Sequence, residues 1–243
     1  MMFRRFLQRL KRHQWGAIAT ELAIVIIGVF IGMQVSNWNE NRETNRTAAV
    51  FTERLKDDLR HEAWGYEVIL QYSRETNANQ RRVLDAMAGD IALSDEQFLI
   101  SAYRATQYKE NNRYRATYDE LLSIGSMGLV ADQPLREAAG NVFAAPWPDQ
   151  IAEQAKNSEY RRLFREAVPA ATQQALLAGC GDRFGRVLDY ATVKGLIDAL
   201  KAVPRFVHAL RIRYADNQTA LIDLQFSNID TLKTFRAMRN AEP

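Results

Sequence analysis

The sequence contains very little of the two side chains that most often bind metals or form disulfides, cysteine and histidine. Cys180 is the only cysteine in 243 residues, so no intrachain disulfide can form. There are three histidines, and only His61 has acidic residues close by, at Asp57 and Asp58. A metal site needs three or four converging ligands, commonly from more than one element. We therefore interpret this group as a solvated, charged helix face.

The sequence also lacks the short motifs by which common enzyme classes are recognised. It has no G-x-S-x-G nucleophile motif, no P-loop, no dinucleotide fingerprint and no H-E-x-x-H zinc motif. Cys180 lies between two glycines with no histidine near it in sequence, which gives no support to a nucleophilic role. We expect a protein that is not an enzyme and that binds no cofactor.

Glycine and proline, the residues that interrupt regular structure, are sparse, with 12 and 6 in the whole chain. Alanine, leucine, arginine and glutamate are abundant by contrast, which is the composition of a helix bundle. The alternation of apolar and polar residues that is typical of strands does not occur. The sequence therefore predicts an all-α protein.

One long apolar run, residues 16–36, stands out among the features that are present. At about 1.5 Å per residue in a helix it spans roughly 30 Å, the thickness of a bilayer core. Trp15 and Trp38 flank it at the positions where interfacial indoles anchor a transmembrane helix. Its exit, residues 34–38, lacks the small residues of a signal-peptide cleavage site. We predict a retained transmembrane helix over residues 16–38.

Basic residues are concentrated before the apolar run, whereas acidic and basic residues balance after it. Positive charge beside a transmembrane helix stays in the cytoplasm. The predicted organisation is a cytoplasmic leader (1–15), a transmembrane helix (16–38) and a periplasmic helical domain (39–243) at the bacterial inner membrane. The residues that set this orientation are Arg4, Arg5, Arg9, Lys11 and Arg12.

The same leader accounts for the positive charge of the chain. The formal net charge is +3, but the residues from 39 onward sum to −1. A basic surface for nucleic acid is therefore not indicated. Membrane lipid is the partner that the charge distribution predicts.

A stripe of small and polar residues follows one face of the apolar helix. Gly28 and Gly32 form a G-x-x-x-G pair, which lets a second helix approach closely. Glu21 lies about one turn inside the cytoplasmic edge, where a carboxylate facing lipid costs about 2–3 kcal/mol. We predict contact with other transmembrane subunits, in a homo- or hetero-oligomer; the alternative is that Glu21 extends toward the headgroups. The stripe consists of Ala17, Glu21, Val25, Gly28 and Gly32.

Two long helices are predicted at opposite ends of the outer domain. Residues 44–87 contain no proline and place apolar residues at three- and four-residue steps, except in the polar stretch 73–80. This helix either continues from the membrane segment or starts after a short break at 37–41. Pro204 begins a final helix that runs to about residue 238. The pair is expected to be antiparallel, with shorter helices packed between the two.

Capping patterns mark the shorter helices. Ser94 with Gln97 forms a capping box, and Asp132, two residues before a proline, is typical of another helix start. Residues 144–150 contain two prolines and are predicted as an internal linker. The helix after that linker is predicted to run without a break to about residue 167.

Tyrosine and arginine are mixed within residues 103–118. Such a cluster either lines a small-ligand or partner surface, or belongs to a bundle core over which arginines extend their charged ends. The second arrangement is the commoner one, and both stay open at the level of sequence. The residues are Tyr103, Arg104, Tyr108, Arg113, Tyr114, Arg115 and Tyr118.

The leader and helix entrance resemble the processing region of type IV pilins and pseudopilins. Those proteins carry a basic leader, a glycine and, five residues later, a glutamate in an apolar helix, as Gly16 and Glu21 do here. This sequence has Ala17 where an aromatic residue is usual. The resemblance implies a pseudopilin-like subunit in which Glu21 neutralises the amino terminus of a neighbouring subunit.

A second resemblance extends further along the chain. The string IGVFIGMQVSNWNENR after Glu21, and the string YDELLSIGSMGLVADQPLRE over residues 118–137, resemble a family of bacterial single-pass proteins known only as a domain of unknown function. Members share a basic leader, a Glu at the helix entrance and an exit close to Gln-hydrophobic-Asn-Asn-Trp-Asn-Glu, where this chain has Ser36. The resemblance implies an inner-membrane anchor and a periplasmic helical domain, and it brings no catalytic residues.

These features together predict a non-enzymatic accessory or scaffold subunit of a larger membrane assembly, for example a respiratory, photosynthetic or transport complex. The small-residue helix face and the lack of catalytic motifs favour this hypothesis. A periplasmic ligand-sensing bundle that signals through a partner is the alternative, and a pseudopilin-like subunit is a third.

Overall fold

The computed structural model describes residues 2–110, 112–179, 193 and 195–226. Within these residues the regular elements are helices and no strand occurs, which confirms the all-α prediction. The helices are α1 Met2–Ala88, α2 Asp95–Ala105, α3 Ala116–Ser123, α4 Gln133–Phe143, α5 Trp147–Lys156, α6 Glu159–Ala167, α7 Ala170–Gly179, α8 Leu196–Ala202 and α9 Phe206–Phe226, and a 3₁₀ turn, Met127–Leu129, lies between α3 and α4.

Helix α1 is a single helix of 87 residues. At about 1.5 Å per residue it is about 130 Å long. The possible break at 37–41 is absent, so the apolar segment and the first helix of the bundle are one element. Gly89 ends α1 with φ at +87°, a backbone conformation that is costly for residues with a Cβ atom.

Two hydrophobic cores form along the outer half of α1. In the proximal core, nearer the apolar segment, α3, α4 and the end of α9 pack against α1. In the distal core, α2, α6, α7, α8 and the start of α9 enclose the last turns of α1. Fully buried side chains of the proximal core include Leu55, Leu59, Leu121, Phe143 and Leu224, and those of the distal core include Leu99, Tyr160, Phe164, Phe206 and Leu210.

A buried polar pair connects α1 with its neighbours between the two cores. The Asn217 side-chain amide donates to the Ser73 carbonyl at 3.0 Å and to Gln80 Oε1 at 3.3 Å. Gln80 in turn donates to the Ala105 carbonyl of α2 at 3.2 Å. Because unpaired polar groups are costly when buried, these bonds fix how α9, α1 and α2 align.

Helix α9 runs antiparallel to α1, as predicted. The Tyr66 hydroxyl donates to the Leu224 carbonyl, whereas Ser73 accepts from Asn217, so higher numbers in one helix face lower numbers in the other. The predicted extension of this helix to residue 238 lies outside the described residues.

Both predicted capping sites are confirmed. The Ser94 hydroxyl accepts from the Gln97 amide at 3.2 Å, and Gln97 Oε1 accepts from the Ser94 amide at 3.1 Å. Asp132 accepts from the Leu135 amide at 3.1 Å and begins α4. The side chain satisfies a backbone donor that the first helical turn leaves without a partner.

The segment after α4 differs from the prediction. Only residues 144–146 lie between helices, because α5 begins at Trp147 and includes Pro148 in its first turn, where a proline ring is tolerated. The predicted unbroken helix to residue 167 is wrong. Ser158 caps the start of α6 by accepting from the Arg161 amide at 3.4 Å, which separates α5 from α6.

Candidate functional site

The apolar segment of α1 is long and apolar enough to cross a membrane. None of its most apolar window is buried against the rest of the chain. Its large side chains are about equally exposed on every face, from 55% at Ile31 to 64% at Ile24. A continuous apolar surface of this size is unfavourable in water.

The predicted contact stripe lies on this bare surface. Glu21, Val25, Gly28 and Gly32 follow one another at helical spacing on an exposed helix. A Cβ atom built on Gly28 or Gly32 would meet no atom within 4 Å. Nothing within the described chain therefore requires glycine at either position. The side chain of Ala17, the fifth member of the stripe, lies outside the described part of the chain.

The end of the apolar segment carries an exposed aromatic residue. Trp38 is 64% exposed, and the Arg42 guanidinium lies 5.8 Å from its ring centroid. Ser36 donates to Glu40 at 3.1 Å one turn away. The predicted anchor and orientation residues at the other end have helical backbone, but their side chains lie outside the described part; they are Trp15, Arg4, Arg5, Arg9, Lys11 and Arg12.

Part of the tyrosine–arginine cluster fastens helix α4. The Arg113 guanidinium donates to the carbonyls of Val142 at 2.9 Å and Phe143 at 3.2 Å, which are acceptors left open at a helix end. Its Nε atom lies 3.1 Å from the buried carboxylate of Glu62, and that carboxylate also accepts from the Tyr114 amide at 3.0 Å. This half of the cluster holds the loop 112–115 between α1 and α4.

The acidic face around His61 also has structural partners. Asp58 accepts from the Thr117 amide at 2.7 Å and so caps the start of α3. His61 Nδ1 lies 2.8 Å from the Asp57 carbonyl, and its ring centroid is 5.4 Å from that of Tyr114. In the described ranges no group of three His, Cys, Asp or Glu residues is placed to hold a metal. Cys180 lies outside those ranges.

The other half of the cluster, Tyr103 and Arg104, faces a cleft. The cleft has a volume of about 570 Å³ and lies between α1, α2 and α7. Its wall on α1 comes from the polar stretch 73–80 that interrupts the apolar pattern of the helix, together with Tyr72 and Arg82. The volume is in the range of small-molecule sites. The structure thus separates residues that are close in sequence into a structural clamp and a cleft wall.

Comparison with known proteins identifies one family. The model of a family of unknown function, DUF6090, matches residues 21–144, just over half of the chain. The matched part begins at Glu21 and ends just after α4, so it includes most of the apolar segment and most of the proximal core. No curated protein and no solved structure matches the chain.

Proposed function

We propose, for a chain that belongs to the DUF6090 family of unknown function, a role as a non-enzymatic accessory or scaffold subunit of a larger membrane assembly. The observation that carries the proposal is the apolar segment of α1, which has no partner inside the described chain and continues without a break into the bundle. A force or contact on this segment therefore reaches both cores through one rigid element.

The proposed location is the bacterial inner membrane, with residues 1–15 in the cytoplasm and the bundle in the periplasm. The concentration of positive charge in the leader supports this orientation. Trp38 and Arg42 at the other end of the segment suit the headgroup region, where an indole and a guanidinium both find polar partners. Membrane lipid covers the faces that no partner helix occupies.

The proposed partner contact is the stripe of Glu21, Val25, Gly28 and Gly32, together with Ala17. Glu21 would cost about 2–3 kcal/mol against lipid, and a polar group on a neighbouring helix removes most of that cost. The two glycines have no packing role within the described part of the chain, which supports the close approach of another backbone.

The test is to replace both Gly28 and Gly32 by Leu in the full chain. We expect normal insertion and a normally folded bundle, because a side chain added at either position would meet no described residue of the bundle. Association with the partner should weaken by about five- to thirtyfold, which corresponds to about 1–2 kcal/mol of lost helix packing. The measurement is co-purification and native-gel migration of detergent extracts.

The matched control is Leu at Val29 and Phe30, which lie on other faces of the same two turns. This control should assemble like the unmodified chain. If the glycine variant assembles equally well, or if the unmodified chain migrates as a lone monomer without any partner, the proposed role of the helix face is wrong.

A ligand-sensing bundle is the second candidate function, and the cleft is the observation that favours it. One wall of the cleft belongs to α1, the same helix that contains the apolar segment. A molecule bound there would contact the element that reaches the membrane. A signal would then pass through that helix to a partner in the membrane.

A further inference from the structure

The cleft is the largest of three neighbouring cavities that meet at Gln107. The outer cavity is the cleft of about 570 Å³, a side cavity of about 240 Å³ shares Tyr103, Gln107 and Leu177 with it, and an inner cavity of about 20 Å³ shares Tyr72, Thr76 and Gln107 with it. The three cavities therefore lie side by side, and we treat them as one space, with walls from α1, α2, α5, α6, α7 and α9.

Positive charge dominates the described walls of this space. Six cationic side chains line it, against one carboxylate, that of Glu75. Clefts with one sign of charge and low-dielectric walls concentrate ions of the opposite sign. The contrast with the rest of the chain is informative, because the residues beyond the leader carry a net charge close to zero. The cations are Arg82, Arg104, Lys109, Arg161, Arg165 and Arg213.

Arg213 borders the inner cavity and is the most deeply buried of these cations. It is 6% exposed, and within the described chain its Nε atom has no hydrogen-bond partner. Burial lowers the pKa of Arg213, and the nearby Asp216 offsets only part of that shift. The inner cavity has room for one water molecule or one oxygen of a ligand. A buried guanidinium facing such a space suits an anionic oxygen.

Arg161 lies at the side cavity in a fixed position. Its guanidinium donates to the Thr106 carbonyl at 3.0 Å and lies 4.9 Å from the ring centroid of Tyr108. Burial lowers the pKa of Arg161, and repulsion from Arg165 lowers it further. Two like charges next to each other are stabilised when an anion binds between them.

We propose that this space binds a small organic anion that carries a carboxylate or a phosphate group. Guanidinium groups hold such groups through paired N–H donors, and the exposed Arg82 side chain lines the outer cavity. The aromatic rings of Tyr72 and Tyr103 and the side chain of Leu177, which is 68% exposed at the cleft, provide apolar contact for the carbon frame.

The ligand comes from solution, not from the bilayer. The cleft wall at Glu75 lies 37 residues beyond Trp38 on one continuous helix, a distance of about 55 Å along its axis. A lipid headgroup beside Trp38 does not reach that far. A soluble anion in the cleft gives the second candidate function its ligand class, and its binding does not depend on whether the helix face contacts a partner.

The experiment measures binding of inorganic phosphate and of citrate to the full chain in detergent, by isothermal titration calorimetry at constant ionic strength. The test variant combines Arg82→Gln and Arg165→Gln, two exposed cations that line the space. The control combines Arg81→Gln and Arg162→Gln, which lie one residue away in α1 and three residues away in α6. Both controls are exposed, pair with Asp85 and Glu166, and do not line the space.

We expect saturable binding of at least one probe, with a dissociation constant raised about tenfold or more in the test variant. The control, which has the same net charge, should stay within about twofold of the unmodified chain. The proposal is overturned if neither probe binds, or if test and control variants lose affinity equally. Thermal unfolding without probe verifies that both variants are folded.

A second arm distinguishes lipid from soluble ligand. The unmodified chain and the test variant are placed in nanodiscs of phosphatidylglycerol or of phosphatidylcholine. We expect the two proteins to respond equally to the change of lipid. If phosphatidylglycerol raises the thermal stability of the unmodified chain but not that of the test variant, the space binds a lipid headgroup. That result would overturn the proposal of a soluble ligand.

Discussion

At the scale of single residues, buried arginines serve two different purposes in this chain. Arg113, of which 11% of the side chain is exposed, faces a buried carboxylate and several carbonyls, and so holds elements together. Arg213 is more deeply buried, at 6% exposed, and lines the inner cavity. The charge of Arg113 is offset by a buried carboxylate, whereas in our proposal a bound anion offsets the charge of Arg213.

Removing Arg113 should therefore destabilise the bundle strongly. In Arg113→Met the Glu62 carboxylate stays buried without its counter-charge, and the end of α4 loses its donors. We expect a loss of about 3–5 kcal/mol in the free energy of unfolding, measured by urea denaturation. The exposed pair of Arg54 and Glu120 is the control, and Arg54→Met should cost no more than about 1 kcal/mol. Equal losses in the two variants would contradict this role of Arg113.

Tyr160 makes the stability of the distal core depend on alkaline pH. It is completely buried, its hydroxyl donates to the Ala102 carbonyl at 2.9 Å, and burial raises its pKa. The unfolded chain ionises this tyrosine near pH 10, whereas the folded chain keeps it neutral. The contribution of neutral Tyr160 to the free energy of unfolding is therefore complete below about pH 10. Above that pH it decreases, by at most about 1.4 kcal/mol per pH unit.

The corresponding variant is Tyr160→Phe. At pH 8 it should be less stable by about 1–2 kcal/mol, because the Ala102 carbonyl loses its donor in the core. Between pH 10 and 11 it should lose less stability than the unmodified chain, by about 1 kcal/mol. Urea denaturation at pH 8, 10 and 11 measures both effects. Tyr114→Phe, at a more exposed tyrosine, should follow the unmodified chain. If the free energy of unfolding of Tyr160→Phe changes with pH as it does in the unmodified chain, ionisation of Tyr160 does not contribute to stability at alkaline pH.

At the scale of elements, α1 changes character along its length without changing conformation. Residues 19–36 are apolar and bare, residues 39–47 are polar and fully exposed, and residues from Phe51 onward pack into the proximal core. The middle stretch has no burial that would stabilise it as a helix. It is helical because both ends are helical, since adding residues to an existing helix costs far less than starting one.

Insertions in α1 should reveal where the bundle begins. Two alanines between Thr44 and Asn45 turn the following residues by about 200°, but the stretch touches nothing, so the free energy of unfolding should change by less than about 0.5 kcal/mol. The same insertion between Leu59 and Arg60 separates Leu55 and Leu59 from the rest of the core and should abolish cooperative unfolding. Circular dichroism during denaturation measures both. A large loss from the first insertion would show that the middle stretch is packed against something.

Helix starts were predictable from sequence where a side chain caps the first turn in a recognisable local pattern. Ser94 and Asp132 accept hydrogen bonds at the first turns of α2 and α4, and both were identified from local pattern alone. Ser158 caps α6 in the same way. This helix start was not predicted, because no glycine or proline marks the break after α5. Whether α1 continued through residues 37–41 depended on helix propagation, which a short polar window does not reveal.

At the scale of the whole molecule, the cleft could not be predicted, because its walls are far apart in sequence. Tyr72 and Arg82 come from α1, Tyr103 from α2, Arg161 from α6 and the inner cation from α9. No spacing rule connects such positions. The polar stretch 73–80 was the one local signal, since it interrupts an otherwise apolar helix face where the cleft and the polar pair lie.

The length of α1 beyond Trp38 sets a minimum size for any partner in the proposed arrangement. The proximal core begins at Phe51, 13 residues after Trp38, which places it about 20 Å above the end of the apolar segment. A single-span protein with short flanks can meet the segment but not the bundle. A protein that contacts both must itself project at least that far from the bilayer. This distance divides partners into two classes. Partners of the first class contact only the apolar segment of α1, whereas partners of the second class carry a sizeable domain outside the bilayer.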